Sequence, residues 1–246
     1  MRHHLVQRAA VLMHFSPEFA RRVYAGERVP LVDDEERALL CRVDARAFRT
    51  DPERPLRLLA ALLEEYPVSA AVVGAPALHA FLSSSPFENA ILRDRLVVDA
   101  FGDWLFARAG DVAQIELAVA LARRRRARRG RGIARAPGVE VARTAAGTLA
   151  FYARALASLG ARPHEAVARG GRVEAPPEPA EREHVLVAGA EVSLCGEALF
   201  SLLSWAREGR ERAALVDEAR RLGADDEAAA LVDDLVKDGL LASSGV

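Results

Sequence analysis

Cysteine is scarce in this chain: Cys41 and Cys195 are the only two in 246 residues. That excludes a disulfide framework and a multi-cysteine zinc module. Lysine is scarcer still. Lys237 stands alone, and arginine supplies the rest of the 34 basic side chains, a bias read as codon composition rather than chemistry. No apolar run approaches the roughly 20 residues that a membrane span requires. The start, Met1-Arg2-His3-His4-Leu5, lacks the apolar stretch and small-residue cleavage site of a secretion signal. A cytoplasmic setting without membrane partners is therefore expected. Missing too are the Gly-x-x-x-x-Gly-Lys-Ser/Thr phosphate loop, the Gly-x-Gly-x-x-Gly turn and the Gly-x-Ser-x-Gly elbow. His164-Glu165 begins like a zinc-protease helix, but residue 168 is alanine, so the second ligand is absent. Histidines 3, 4, 14, 79, 164 and 184 find no cysteine or carboxylate partners at metal spacing. No metal and no catalytic residue is expected in this chain. Cys41, between Leu40 and Val43 on an expected buried helix face, reads as an inert core thiol.

What remains is a composition that folds. Hydrophobic residues make up 51% and charged residues 28%, which rules out wholesale disorder. The net charge of −1 conceals an asymmetry. Residues 184–246 carry 12 acidic and 6 basic side chains, a net −6; residues 1–183 hold the other 23 and 28, a net +5. Between the halves, Pro176, Pro177 and Pro179 favour an extended backbone. The expected organisation is a helical domain at 1–160, a Pro/Gly-rich linker at 161–183 and a small domain at 184–246. The fold class is mainly α, of α+β type.

Helix signals dominate the first domain. Ser16-Pro17-Glu18 supplies a capping hydroxyl and a proline suited to the first turn. Asp33-Asp34-Glu35-Glu36 places acids at a helix's positive end. Asp51-Pro52-Glu53 opens a helix whose Leu58, Leu59, Leu62, Leu63 and Tyr66 form one apolar stripe. Pro67 ends or kinks it, and Gly74 closes the next segment. A single long helix is expected to carry Leu92, Leu96, Val97, Ala100, Phe101, Trp104 and Leu105. Asp111 opens another, with Val112, Ile115, Val119 and Ala122 inward. Residues 139–143 alternate like a short strand, and Thr148 to Leu159 returns to helical spacing, closed by Gly160.

Beyond the linker, residues 184–187 and 191–194 flank Ala188-Gly189-Ala190 and predict a β-hairpin. Helices follow at about 197–208, 211–222 and 226–238, with Gly209, Gly223 and Gly239 at their ends. Leu240-Leu241 can close with a short strand. A hairpin, three short helices and a last strand make a winged-helix-like arrangement.

Two features invite a nucleic-acid reading. Arg123, Arg124, Arg125, Arg126, Arg128, Arg129 and Arg131 crowd into nine positions, but no aromatic interrupts them for base stacking. A solvated helix end or a protein-docking surface fits the run better. The third helix of the small domain holds Asp225, Asp226, Glu227, Asp233, Asp234 and Asp238 against Lys237, which is repulsive to phosphates. A winged-helix transcriptional regulator is thus the alternative and nucleic acid the disfavoured partner. The hairpin's outer strand has another use, because unpaired backbone groups there can accept an added peptide strand.

Two stretches carry a resemblance. Tyr66-Pro67-Val68-Ser69-Ala70-Ala71-Val72-Val73-Gly74, then Leu78 and Phe81-Leu82, are similar to the helix junction of a bacterial helical-domain family long labelled DNA-binding. Ala100-Phe101-Gly102-Asp103-Trp104-Leu105 followed by Asp111-Val112-Ala113-Gln114-Ile115-Glu116 resembles that family's second signature. The similarity covers roughly residues 60–125. Family members are partner proteins of multinuclear non-haem iron oxidative enzymes that modify cysteines in ribosomally made peptides, as in methanobactin biosynthesis. The small domain resembles the peptide-recognition winged helix of the PQQ-synthesis chaperone type. The residues concerned are Leu194, Ala198, Leu202-Leu203, Gly209 and Asp233 to Leu241, with Cys195 replacing the usual asparagine.

The resemblance implies a non-catalytic adaptor forming a heterodimer with a barrel enzyme that holds the iron. Arg123, Arg124, Arg126 and Trp104 are the expected enzyme-docking residues. Glu191, Val192, Ser193 and Leu194 on the strand, with Val232, Leu235 and Val236 on the last helix, are the expected contacts to the leader of the precursor peptide.

Overall fold

The computed structural model describes residues 3–29, 32–49, 51, 53–124, 132–176 and 179–243. The described chain is mostly helical, with small antiparallel sheets. Along it run α1 (His3–Phe15), α2 (Pro17–Tyr24), α3 (Asp34–Leu40), α4 (Arg54–Glu65), α5 (Pro67–Val73), α6 (Ala75–Leu78), α7 (Ser85–Leu92), α8 (Val97–Ala109) and α9 (Val112–Arg124). Then come β1 (Ile133–Arg135), β2 (Val139–Ala145), α10 (Thr148–Leu159), α11 (Pro163–Ala168), β3 (Arg182–Ala188) and β4 (Glu191–Cys195). The last elements are α12 (Glu197–Trp205), α13 (Arg212–Ala219), α14 (Ala228–Lys237) and β5 (Leu241–Ser243).

Local chemistry sets several of these boundaries. Ser16 Oγ accepts from the Phe19 amide at 3.1 Å, and Pro17 follows where no amide donor is needed. Asp33 and Glu36 form a reciprocal capping box, each side chain accepting the other's backbone amide at 2.8 and 3.0 Å. The helix expected around Leu92 to Leu105 is in fact two. Asp94 adopts a positive φ of 60° between α7 and α8, which no continuous helix tolerates. Leu92 is buried at the end of α7, whereas Leu96 is 58% exposed as the N-cap of α8.

The chain divides into two units, but not at the expected linker. One comprises Met1–Ala113 with Leu156–Ala175; the other comprises Gln114–Ala155 with Pro176–Val246. Residues 161–175 are not an extended spacer. Pro163 starts α11, whose Val167 is fully buried, and α11 packs on α4 and α5. After it, the Val173 amide donates to the Ala71 carbonyl at 3.3 Å. Arg172 lies against Gly74, where any Cβ would come within 2.3 Å of its Nη2. That exposed arginine tip can move, but Gly74 also sits at φ 84°, a conformation that favours glycine.

Aromatic rings build the core of the first unit. Tyr66, Phe81, Phe87 and Phe101 are fully buried, and Phe81 meets Phe87, Phe101 and Trp104 at 5.4, 4.9 and 5.6 Å between centroids. Such tilted pairs add about 1 kcal/mol each beyond the area they bury.

In the second unit, β2, β3 and β4 form an antiparallel sheet in that order. The strand near 139–143, assigned from sequence to the first domain, belongs here because it pairs with β3 over seven residues. Opposite pairs include Ala142 with Val185, Val141 with Leu186 and Val187 with Val192. The hairpin turn uses Gly189 at φ 62°, the positive φ that a two-residue turn demands. One sheet face, through Ala142, Val185 and Val187, packs on Ile115, Ala118 and Val119 of α9, with Leu149 and Tyr152 of α10 beside them. The other face, through Val141 and Leu186, packs on Leu202, Leu203, Leu215, Val232 and Leu235 of α12 to α14. The final strand pairs with β1, Ile133 opposite Ser243, and not with the hairpin.

Candidate functional site

The sheet has two edges, and they differ. On β2 every residue but Val141 and Arg143 is buried, and Thr144 is fully so. On β4 no residue is buried: Glu191 and Leu194 are exposed, and Val192, Ser193 and Cys195 are half-buried. Among the described residues, β3 is the only strand that pairs with β4. Each strand residue carries one amide and one carbonyl, and alternate residues of an edge strand point theirs outward. The β4 edge is therefore open in backbone and side chain alike.

Register divides the β4 side chains between two faces. Val192 and Leu194 lie opposite Val187 and Val185, on the α9 and α10 side. Ser193 and Cys195 lie opposite Leu186 and His184, on the α12 side. His184 packs on Phe200 of α12, 4.5 Å between ring centroids. Burial pushes the Cys195 thiol above its ordinary pKa, so it is a weaker nucleophile than a free thiol at neutral pH.

The α14 residues expected to contact a peptide are placed otherwise. Val232 is fully buried and Leu235 is 6% exposed, both inside the core against α12 and α13. They hold the unit together and do not line an open surface; Val236 is half-buried. The acidic character of α14 stands. Arg212 clamps Asp233 through two bonds of 3.0 and 2.7 Å, which draws that carboxyl below the usual carboxylate range. Asp225, Asp226, Glu227, Asp234 and Asp238 remain exposed.

The expected docking residues fall in different units. Trp104 belongs to the first unit; Arg123 and Arg124 are exposed at the end of α9 in the second. Arg126 lies outside the described residues. Trp104 is 5% exposed, stacked on Phe101 at 5.9 Å and covered by the Arg108 guanidinium 3.9 Å from its ring centroid. Cys41 also departs from expectation. It is the exposed C-cap of α3, and its thiol donates to the Val23 carbonyl at 3.8 Å.

Other features carry no sequence motif. Arg135 and Glu140 form a buried ion pair between β1 and β2. A cavity of about 660 Å³ lies in the first unit, with Met13, Phe15, Tyr24 and Phe48 in its wall. Around it Arg21 bonds Glu18 and Glu27, and burial lowers the His14 pKa with help from Arg54. Among the described residues, no group of three or more His, Cys, Asp or Glu side chains is arranged to hold a metal ion. None of the described helices is long and apolar enough to cross a membrane. No known protein family, curated protein or solved structure matches the chain.

Proposed function

We propose that this chain is an adaptor that holds the leader of a ribosomally made precursor peptide and presents its cysteines to a separate multinuclear non-haem iron oxidase. The observation that carries this reading is the edge strand β4, on which no side chain is buried, whereas most side chains of the opposite edge strand β2 are. An extended leader would add as a further antiparallel or parallel strand, its main chain bonding to the outward groups of residues 191–195. Leu194, 60% exposed, would offer an apolar contact to alternate leader side chains. The antiparallel β2-β3-β4 sheet followed by α12, α13 and α14 supports the winged-helix-like reading of this part. The helical unit would dock on the oxidase, and the iron and oxidation chemistry would reside there. Tethering raises the effective concentration of the core cysteines at the iron without chemistry from the tether.

Co-expression with a barrel oxidase and a cysteine-bearing precursor encoded beside the chain tests this. The expected result is a stable complex that oxidises the precursor, with no turnover by the chain alone. Stoichiometric iron and unaided peptide oxidation by the isolated chain would overturn it. So would tight duplex binding that falls steeply with salt, which would favour the transcriptional regulator instead.

A further inference from the structure

The groove between α7 and α8 carries a charge imbalance with a defined shape. Its volume is about 690 Å³, and its walls include Arg93, Arg95, Asp103 and Arg108. Arg95 bonds Asp103 at 2.5 Å. Among the described residues, Arg93 and Arg108 have no carboxylate partner, whereas nearby arginines do: Arg8 pairs with Asp94 and Arg22 with Glu88. Arg108 is also held in place. Its guanidinium lies over the Trp104 ring at 3.9 Å, and Nη1 donates to the Trp104 carbonyl at 3.0 Å. A fixed guanidinium with outward N–H groups is preorganised for a carboxylate, which it can take in two parallel bonds.

We infer that this groove docks an acidic segment of a protein partner, with its carboxylates on Arg93 and Arg108 and an apolar side chain between them. Charge complementarity selects an anion, since the charged lining residues sum to a surplus of two cations. The groove's size and the apolar Ala100, Ala107 and Pro86 in its lining select a peptide over a small inorganic ion. Nucleic acid fits less well, because the Trp104 ring is 5% exposed and lies under the Arg108 guanidinium, leaving no open platform for a base. The inference rests on the adaptor reading for the expectation that a protein docks on this unit. The chemistry rests on the groove itself.

The test uses the full chain and a fluorescein-labelled, C-terminally amidated heptapeptide of glutamates with two leucines, read by fluorescence anisotropy. Its lysine counterpart, sodium phosphate and a short DNA duplex serve as competitors at constant ionic strength. Saturable binding of the acidic peptide is expected, with at least a tenfold loss in Arg93→Gln/Arg108→Gln. Arg143→Gln/Arg154→Gln removes the same charge from exposed positions of the other unit and should change affinity less than twofold. Circular dichroism checks that both variants fold, and Arg93→Glu/Arg108→Glu should transfer binding to the lysine peptide. Equal weakening in both glutamine variants, no saturable binding by the native chain, or displacement by phosphate or duplex at matched charge would overturn the inference. Failure here would leave co-purification with an oxidase untouched. Loss of that co-purification would leave the peptide result standing.

Discussion

Val185 and Leu194 face each other across the β3–β4 pair, yet Val185 is fully buried and Leu194 is 60% exposed. One apolar residue secures the sheet to α9 and α10. Its partner stands open at the edge. Val185→Ala should therefore lower stability by about 2 kcal/mol, from lost burial plus a cavity. Leu194→Ser should change it by no more than about 0.5 kcal/mol. Urea unfolding of both variants checks the contrast. Leader affinity should respond in the opposite order, falling for Leu194→Ser.

Cys195, at the end of β4, is a built-in reporter of the same edge. Its half-burial raises the thiol pKa, so the thiolate fraction at a given pH is lower than for a free cysteine. The rise of its alkylation rate with pH should be displaced upward accordingly. In a Cys41→Ser chain, iodoacetamide labelling followed by mass spectrometry should show slow modification of Cys195, slowed further by bound leader. Labelling as fast as that of a free thiol would contradict the burial.

Arg135 and Glu140, both under 10% exposed, form an ion pair that joins β1 to β2. Breaking a buried ion pair by removing one partner costs about 3–5 kcal/mol. Arg135→Met and Glu140→Leu should each destabilise strongly. The double variant should recover most of the loss, because neither charge then remains. Thermal or denaturant unfolding of the three variants reads this coupling directly.

Gly102 faces Tyr66 so closely that a Cβ would lie 2.4 Å from its Oη and 2.9 Å from Cζ. Tyr66 is fully buried against Phe101, so the ring has little room to withdraw. Gly102→Ala should cost about 1–3 kcal/mol through overpacking, despite alanine's better helix propensity. A gain in stability would show that the ring can move.

Sequence alone reached the helix boundaries that rest on local chemistry. Ser16-Pro17, Asp33 with Glu36, and Pro67 to Gly74 act within a few residues, and the structure uses them where they stand. The hairpin was legible for the same reason, through alternation around Gly189. Long-range facts were not. Nothing local indicates that residues 139–145 pair with 182–188, 37 to 49 positions away, so the division into units was misplaced. The site followed the same rule. The β4 strand was legible by alternation, but the burial of Val232 and Leu235 depends on what packs over α14, which no spacing reveals. Arg93 and Arg108 belong to no motif and become notable only when their neighbours prove not to neutralise them.

Amide hydrogen exchange across residues 191–195 of the full chain, with and without the precursor peptide, tests the central claim most directly. If the leader adds as a strand, the outward-facing amides of β4 exchange slowly only when the peptide is present, in an every-other-residue pattern, while those of buried β2 do not change. Unaltered exchange along β4 under saturating peptide would contradict the account.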